Sequence, residues 1–363
     1  MLMKKKIAVL RANALGDFIF ALPALRALKE TYPDNEIVYL GKKMHQALLT
    51  DRPGPVDRVV VVPPYPGVGE AEHYEPDHAL VESFFEQMQQ EQFDIAIQMH
   101  GGGGFSNPFL QKLGARLNVG LQAPDAPPLD INIPYVVYYS EILRFLEVVS
   151  YLGANTRHIA PAITVMDKDL QEARAAMPGQ YTGRIAVIHP GATDPHRHWP
   201  AIHFAKVADY LVNEGYTVYI NGVAEESYLA DAILQNMQQR KGAYSLCGKL
   251  GICGLTGLLS MAAIVVSNDS GPLHLAYALR VPAVGIYWVG NMITGTPMTS
   301  ALARPLISWT SQCPLCGLET KKLKTTITSC KHNTSFVADI TVDDVIHSVQ
   351  DLLCNMHELK AVI

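Results

Sequence analysis

The sequence contains few charged residues and no long apolar run. Aspartate, glutamate, lysine and arginine make up 17% of its 363 residues, and the net charge is −5. A mildly acidic chain is a poor candidate for nucleic-acid binding, which relies on basic patches. No stretch has the length and apolar character of a membrane-spanning helix. Residues 7–10 follow a lysine run as in a signal peptide, but Arg11, Asn13 and Asp17 break the apolar stretch, so we expect a soluble, cytoplasmic protein.

Cysteines are also scarce, and a dinucleotide-binding motif is missing. Six cysteines do not form a dense disulfide framework, and a chain of this length can bury a core without one, so we expect a reducing compartment. Neither half has G-x-G-x-x-G after a predicted strand, which disfavours a nicotinamide-dependent oxidoreductase. The four glycines at 101–104 do not have this spacing, and we interpret them as a flexible loop beside a ligand.

What the sequence does contain is a series of alternating β and α segments that occurs twice. Apolar periodicity predicts strands at 7–10, 36–40, 57–62, 93–99, 117–121, 185–188, 217–220, 243–246, 264–266 and 283–287. It predicts helices at 18–29, 79–92, 108–115, 135–152, 201–215, 228–240 and 341–353. Two such series indicate two doubly wound α/β domains that face each other across a cleft. We expect boundaries at 1–160, 161–340 and 341–363, with a linker region at 160–183 and the last helix packed back on the first domain.

The segment from 264 to 274 is the most informative single stretch. A short β-branched run ends in a polar turn that includes Asp269; Ser270, Gly271 and Pro272 follow, and the apolar residues from Leu273 to Leu279, around His274, indicate the start of a helix. Free N–H groups and the positive end of the helix dipole meet at such a turn, which can hold a phosphate without a lysine. An ordinary strand-to-helix turn with a capping aspartate is the alternative.

A second acidic residue follows the first predicted strand. Asp17 lies where open α/β sheets bind ligands, at the carboxyl end of the strand, and Gly16 before it permits a tight turn and close approach of a ligand. A helix-capping role is the alternative for Asp17.

Three segments in this order resemble glycosyltransferase family 9, the ADP-heptose:lipopolysaccharide heptosyltransferases. They are A-L-G-D-F-I-F-A-L-P-A-L-R-A-L-K at 14–29, I-H-P-G-A-T-D-P-H-R-H-W-P at 188–200 and V-S-N-D-S-G-P-L-H-L-A at 266–276. The resemblance covers nearly the whole chain. It implies the glycosyltransferase-B fold, with two facing Rossmann-like domains, and a metal-independent, inverting sugar transfer. The first domain would bind the acceptor and the second the nucleotide-sugar donor, which we expect to be ADP-heptose.

The resemblance also assigns roles to residues. Asp17 matches the catalytic base, and Arg197 replaces a lysine that contacts the donor phosphate in many members; Arg keeps the charge but changes the geometry. Glu226, or alternatively Glu225, matches an acidic residue for the ribose. The remaining donor residues implied are Gly191, Ala192, Thr193, Asp269, Ser270, Gly271 and His274. On the acceptor side we expect Asn13, Gly16 and Lys42, although a Lys42–Lys43 pair on a solvated edge is the favoured alternative for the lysines.

These residue types suit sugar transfer better than sugar hydrolysis. One carboxylate can deprotonate an acceptor hydroxyl, whereas glycosidases use two paired carboxylates, and the sequence shows no such pair. We expect a lipopolysaccharide or related glycan acceptor, peripheral contact with the inner membrane, no nucleic acid and a monomer. A nucleotide-sugar 2-epimerase of the same fold and a non-catalytic nucleotide-sugar binder are the alternatives.

A cysteine cluster near the C-terminus has metal-like spacing. Cys313 and Cys316 form a C-x-x-C pair, and Cys330 and His332 follow it. We expect no cofactor and no catalytic metal, and keep a structural zinc ion as the alternative to a purely structural or solvent-side role for these cysteines.

Overall fold

A computed structural model describes residues 5–178, 183–318 and 332–361, with side chains up to 354. The chain forms two compact units, Met1–Thr164 and Val165–Ile363. The division comes four residues after the expected boundary at 160. Among the described residues, no helix has both the length and the apolar composition needed to cross a bilayer.

The first unit alternates strands and helices around one parallel sheet. Its strands are β1 (Lys6–Leu10), β2 (Glu36–Gly41), β3 (Arg58–Val61), β4 (Tyr65–Pro66), β5 (Gly69–Glu70), β6 (Ile95–Gln98), β7 (Leu117–Gln122) and β8 (Ile131–Pro134). Its helices are α1 (Leu15–Thr31), α2 (Lys43–Leu49), α3 (His78–Gln90), α4 (Ser106–Gln111) and α5 (Glu141–Ser150). The six-stranded sheet has the order β3-β2-β1-β6-β7-β8, and β4 pairs only with β5.

The second unit repeats this plan. Its strands are β9 (Arg184–His189), β10 (Tyr216–Ile220), β11 (Ala243–Ser245), β12 (Ala262–Asn268), β13 (Ala283–Trp288) and β14 (Ala303–Ser308). Its helices are α6 (Asp167–Ala176), α7 (Ala201–Asn213), α8 (Ser227–Asn236), α9 (Ile252–Met261), α10 (Gly271–Ala278), α11 (Val289–Gly295) and α12 (Val342–Ala361). The sheet order is β11-β10-β9-β12-β13-β14, again with parallel pairing. Each unit is therefore Rossmann-like, as the α/β alternation predicts.

The central strands are apolar along their whole length because helices cover both faces of a parallel sheet. In β1, all residues after Lys6 are buried, and in β9 all residues after Arg184 are buried. An aromatic cluster of Phe84, Phe85 and Phe109 packs under the first sheet. The core of the second unit includes Trp199, Trp288 and the inner face of α12.

Several predicted elements are wrong in detail. The long helix at 135–152 begins only at Glu141, and Val136, expected in the core, is 52% exposed. Arg144 explains the late start, because its Nη2 donates to the carbonyl oxygens of Val136, Val137 and Tyr139 and holds them outside a helix. The expected linker region at 160–183 contains α6, and β8 is a strand that the sequence did not predict.

The described part of α12 packs on the second unit. Val345, Val349 and Leu352 belong to its core, and the helix contacts α7 and β13. Thr341 opens it, with Oγ1 bonded to Asp344 Oδ2 at 2.6 Å. Packing of residues 341–363 against the first domain stays a prediction.

Candidate functional site

Asp17 of the first unit is paired with a buried arginine. Arg11 follows β1 and donates through Nη2 to Asp17 Oδ1 at 2.6 Å and to Glu141 Oε2 at 3.0 Å. Arg11 Nη1 donates to the carbonyl of Met99 at 2.5 Å, and its guanidinium lies 4.6 Å from the ring centroid of Phe145. Burial of a guanidinium is costly unless it is paired, so two carboxylates and a carbonyl fix this group in position.

The second carboxylate oxygen of Asp17 faces the start of α1. Asp17 Oδ2 accepts from the Ala14 N–H at 3.1 Å, which is the reciprocal half of a capping arrangement. Asp17 is the third residue of α1 and bonds back to the N-cap residue, so it also has the helix-capping role that the sequence left open. Its side chain nevertheless remains 32% exposed, whereas that of Arg11 is only 4% exposed. A carboxylate that is both oriented and reachable can accept a proton from an incoming hydroxyl.

Two buried histidines flank this carboxylate. The His100 Nδ1 accepts from the Ala12 N–H at 3.2 Å, and His45 Nδ1 accepts from the Lys42 N–H at 2.8 Å. Burial, followed by the charge of Arg11, lowers the pKa of His100 to about 3. Burial, followed by the charge of Lys42, lowers the pKa of His45 to about 4. Both rings are neutral at pH 7 and add no charge next to Asp17.

Two cavities open beside Asp17 within the first unit. A polar one of about 390 Å³ is lined by Asn13, Asp17, Lys42, Glu70 and His100, among others. A mainly apolar one of about 750 Å³ shares Lys42 and continues along Val61, Pro64, Val68, Leu80 and Phe84. Gly16, by contrast, is buried as the second residue of α1, so the expectation that it forms a tight turn at the ligand is wrong.

In the second unit, Asp269 lies between β12 and α10 and holds three donors. Its Oδ1 is 3.0 Å from His274 Nε2, and its Oδ2 accepts from Asn291 Nδ2 at 2.6 Å and from Arg197 Nη1 at 3.3 Å. Burial raises the pKa of this carboxyl, but the bond and charge of His274, with Arg197 and Asn291, outweigh it and the net pKa is lowered. As an anion bonded to three donors, Asp269 is suited to anchor Arg197 and His274, and its expected role in donor binding stays a prediction.

The loop that carries Arg197 is fixed to the same turn by Asn268. Asn268 Nδ2 donates to the Pro190 carbonyl at 2.6 Å, and its Oδ1 accepts from the Trp199 N–H at 3.2 Å. Trp199 is in turn anchored through Nε1 to the carbonyl of Ile340 at 2.9 Å. Because both ends of the 190–199 loop meet Asn268, Arg197 is held at the start of α10.

Arg197 has capacity left for a ligand. Its side chain is 14% exposed, and its buried Nε has no hydrogen-bond partner among the described residues. A buried N–H without a partner costs about 1–3 kcal/mol, which an anionic ligand at this point would remove. The N-terminus of α10 adds a positive partial charge there.

Gly191 and Glu226 are in direct contact. A Cβ at position 191 would lie 2.1 Å from Glu226 Oε1, so a larger residue there would displace this carboxylate from its present position. Glu226 Oε2 also accepts from the Val223 N–H at 3.0 Å, and Glu225 is exposed, which favours Glu226 as the oriented carboxylate of the two. Beside it, Ala192 N–H donates to His198 Nε2 at 3.1 Å.

The structure thus brings the predicted donor residues into two neighbouring groups. Arg197, Asp269 and His274 meet at the N-terminus of α10. Gly271 is the first residue of this helix, and Ser270 is its N-cap, with Oγ donating to the Asn268 carbonyl at 3.1 Å. Thr193 is exposed. Sequence reasoning missed Arg11, Glu141, His100, Asn268 and Asn291. Of these, Asn268 lies within a recognised motif, whereas Glu141 lies 130 positions from its partner Arg11 and gives no local signal.

Cys313, Cys316 and His332 also come together, with ligand atoms within 4.8 Å of one another. The fourth predicted residue of this set, Cys330, lies outside the described residues.

These features are those of the glycosyltransferase-B fold class: two Rossmann-like units, one with an oriented carboxylate and one with an arginine at a helix N-terminus. The family model of glycosyltransferase family 9 (heptosyltransferase) matches residues 81–325. The chain therefore belongs to glycosyltransferase family 9.

Individual relatives agree with this assignment. The chain is 34% identical over 101 residues to lipooligosaccharide heptosyltransferase 2 of Haemophilus influenzae, a match that covers 27% of this chain and 29% of that one. The chain thus spans under a third of the first curated relatives it matches. A longer match, 22% identical over 293 residues, covers 76% of this chain and 81% of lipooligosaccharide heptosyltransferase 2 of Haemophilus ducreyi.

A solved structure shares the fold over nearly the whole chain. The ADP-heptose lps heptosyltransferase II of E. coli superimposes with a TM-score of 0.74 at 17% identity, and the match covers 97% of this chain and 99% of that one. This similarity shows the glycosyltransferase-B fold expected from the sequence.

Proposed function

We propose that this protein transfers heptose from ADP-heptose to a lipopolysaccharide core acceptor, with inversion at the anomeric carbon and without a catalytic metal. The observation that carries this proposal is the state of Asp17. Its carboxylate is fixed by the buried Arg11 and by an α1 N–H, yet about a third of the side chain remains exposed. In a family of glycosyl transferases, such a group is suited to remove the proton from an acceptor hydroxyl.

The donor half of the proposal rests on Arg197. Its partnerless Nε, the nearby His274 and the N-terminus of α10 provide donors and positive charge for a diphosphate. As the bond to the sugar breaks, negative charge grows on the departing diphosphate, and preorganised donors stabilise it without a metal ion. The choice of ADP-heptose follows the relative of known structure that is named for this donor.

The acceptor half rests on the cavities beside Asp17. The apolar cavity of about 750 Å³ and the polar one of about 390 Å³ share Lys42 and Glu70, so a ligand with an apolar part and a polar sugar part would fit both. A glycolipid acceptor has this composition. With such an acceptor we place the enzyme in the cytoplasm, peripheral on the inner membrane, as a monomer.

In the proposed reaction, Asp17 takes the proton of the acceptor hydroxyl while the hydroxyl oxygen attacks the anomeric carbon. The bond between that carbon and the diphosphate oxygen breaks, and ADP leaves with the electron pair. Attack opposite the leaving group inverts the anomeric centre. Arg11 and the Ala14 N–H orient Asp17, and Asp269 holds Arg197 and His274 in place for the leaving group.

The test is an assay of the full chain with ADP-heptose and heptose-deficient lipopolysaccharide, in the presence of EDTA. We expect ADP release that depends on acceptor, a product heavier by one heptose and an inverted linkage by NMR. Asp125→Asn, which changes an exposed loop carboxylate, is the matched control for Asp17→Asn and should keep full activity. Turnover of nucleotide sugar to an epimer without acceptor would overturn the proposal in favour of a 2-epimerase, and binding without turnover would reduce the protein to a nucleotide-sugar binder.

A further inference from the structure

Three potential metal ligands meet in the second unit, away from the groups used in the proposed reaction. The ligand atoms of Cys313, Cys316 and His332 lie within 4.8 Å of one another. Cys313 Sγ is 3.7 Å from His332 Nδ1. A thiolate and an imidazole nitrogen bound to one tetrahedral zinc ion stand about 3.6 Å apart, given Zn–S and Zn–N bonds of about 2.3 and 2.0–2.1 Å. The spacing of this pair is therefore already that of a metal site.

The backbone between the two cysteines is folded to bring both thiols to one side. Gly317 N–H donates to the Cys313 carbonyl at 2.9 Å, and Cys313 N–H donates to the Leu318 carbonyl at 2.9 Å. Gly317 adopts a φ of +66°, which a residue with a Cβ rarely takes. A closed turn of this kind after a C-x-x-C pair orients both sulfur atoms before a metal binds.

The cluster has one buried and two exposed members. Cys313 is 2% exposed and belongs to the core of the second unit, whereas Cys316 and His332 are exposed. A core thiol gives the site a rigid base, and the exposed pair leaves a path for an ion to enter. Cys354, by contrast, is exposed and lies outside the cluster, so it can serve as a control.

The cluster is also connected to the loop that carries Arg197. His196 Nε2 donates to the His332 carbonyl at 2.9 Å, and Phe336 N–H donates to the His196 carbonyl at 2.7 Å. His196 Nδ1 lies 2.6 Å from Asp194 Oδ1. A ligand bound to His332 would therefore also restrain the segment from His332 to Phe336, which is bonded to His196 in this loop.

We propose that Cys313, Cys316 and His332 bind a structural Zn²⁺ ion that ties the turn at 313–317 to the segment beginning at His332. Thiolate and imidazole ligands favour zinc over magnesium or calcium, which prefer oxygen. The ion closes a loop in the chain and so adds its binding free energy to that of folding. It takes no part in sugar transfer, and the inference stands whether or not the proposed reaction does.

Metal analysis of the untagged full chain tests the site directly. We expect about one zinc ion per chain. Cys316→Ser and His332→Ala, both at exposed positions outside the core, should each lower the bound zinc several-fold, and Cys354→Ser should leave it unchanged. A metal-free protein, or zinc that persists in both ligand variants, would overturn the site. Iron in place of zinc would overturn the choice of metal.

Two further measurements separate a metal site from a merely structural turn. Adding Zn²⁺ to the chelator-treated protein should raise its melting temperature, and the rise should vanish in Cys316→Ser. Co²⁺ in the same protein should show the thiolate-to-metal absorption of a tetrahedral site. If non-reducing mass analysis instead finds a Cys313–Cys316 disulfide and neither response occurs, the inference is wrong.

Discussion

The two units have the same sheet topology, but they hold their principal aspartates in opposite ways. Leaving aside the short pair β4 and β5, both six-stranded sheets run third-second-first-fourth-fifth-sixth along their own strands. Asp17 follows the first strand of its unit and has a side chain 32% exposed, with one arginine as its ionic partner. Asp269 follows the fourth strand of its unit, is 6% exposed at the side chain, and is bonded to Arg197, His274 and Asn291.

This difference shows how one fold can hold a carboxylate for two different purposes. A carboxylate that must accept a proton has to be reachable by the substrate, so its partners can occupy only part of it. A carboxylate that anchors cations can be buried completely, provided that its donors balance the cost of removing a charge from water. We therefore expect substitutions of the two aspartates to have different consequences, one for rate and one for stability.

The largest effect should come from Asp17→Asn. The amide keeps the size and can still face Arg11, but it cannot accept a proton, so we expect kcat to fall by about 10²–10⁴-fold. Donor affinity, measured by calorimetry with ADP, should remain at the wild-type value because the donor groups belong to the other unit.

Glu141→Gln is the matched control, since Glu141 shares Arg11 with Asp17. If both variants lose the same activity, Asp17 acts only by positioning Arg11. If Asp17→Asn turns over at the wild-type rate, the base lies elsewhere.

Asp269→Asn should act on stability first. Removing one member of a buried charged cluster leaves Arg197 and His274 without their anion, and such changes cost about 3–5 kcal/mol. Urea denaturation should show this decrease in the free energy of unfolding, and a smaller decrease for Asp17→Asn, because Glu141 still pairs with the buried Arg11. Asp343→Asn, at an exposed site in the first turn of α12, is the control. Equal losses at Asp17 and Asp269 would contradict the contrast between the two units.

Acid should weaken the first unit through His100 before it affects Asp269. His100 has a pKa of about 3 in the folded chain against 6.5 as its ordinary value, so the unfolded chain binds the extra proton as the pH falls. Stability is then full above pH 6.5 and decreases towards pH 3, by up to about 1.4 kcal/mol per pH unit. Because the pKa of Asp269 is lowered in the folded chain, this carboxyl stabilises the protein at neutral pH. That stabilisation is lost only at lower pH, as the pH falls through the lowered pKa.

Urea midpoints measured between pH 7 and pH 4 check this slope. His100→Gln, which can still accept from Ala12, should flatten the pH dependence, and His158→Gln at an exposed site should not. An unchanged slope in His100→Gln would show that other groups, such as His45 or His189, account for the acid sensitivity.

The strands and two charged turns were predictable because their signals are local. β-branched residues mark β1, β9 and β12; Asp269 follows β12 directly, and Asp17 comes shortly after β1, in the first turn of α1. Two residues around these aspartates were not predictable because they lie on distant elements: Asn291, which donates to Asp269, and Glu141, which shares Arg11 with Asp17. A single sequence contains the residues of such a pair but no indication that they meet.

The helix α6 shows a second reason for failure. It has no strong apolar face of its own and depends on α9, where a Cβ at Gly257 would lie 2.0 Å from the Asp169 carbonyl oxygen. Glu172 Oε1 further accepts from the Gly251 N–H at 2.7 Å. Close packing through glycines has no periodic signature, so the segment resembles a linker and α9 was missed as well.

The smallest expected effect distinguishes Lys42 from Lys43, which the sequence could not separate from a solvated pair. Lys42 is half-buried and lines both cavities beside Asp17, whereas Lys43 is exposed and lines only the apolar one. A partly solvated charge contributes at most about 1 kcal/mol to binding an anion, so Lys42→Ala should raise the KM for the acceptor about three- to fivefold at low salt. The effect should shrink at high salt because the interaction is screened.

Lys43→Ala should leave the KM unchanged, and kcat should not move in either variant. An equal rise in KM for both lysines would show a diffuse positive surface. If neither variant raises the KM, Lys42 does not bind the acceptor, and the apolar lining of the larger cavity is what recognises it.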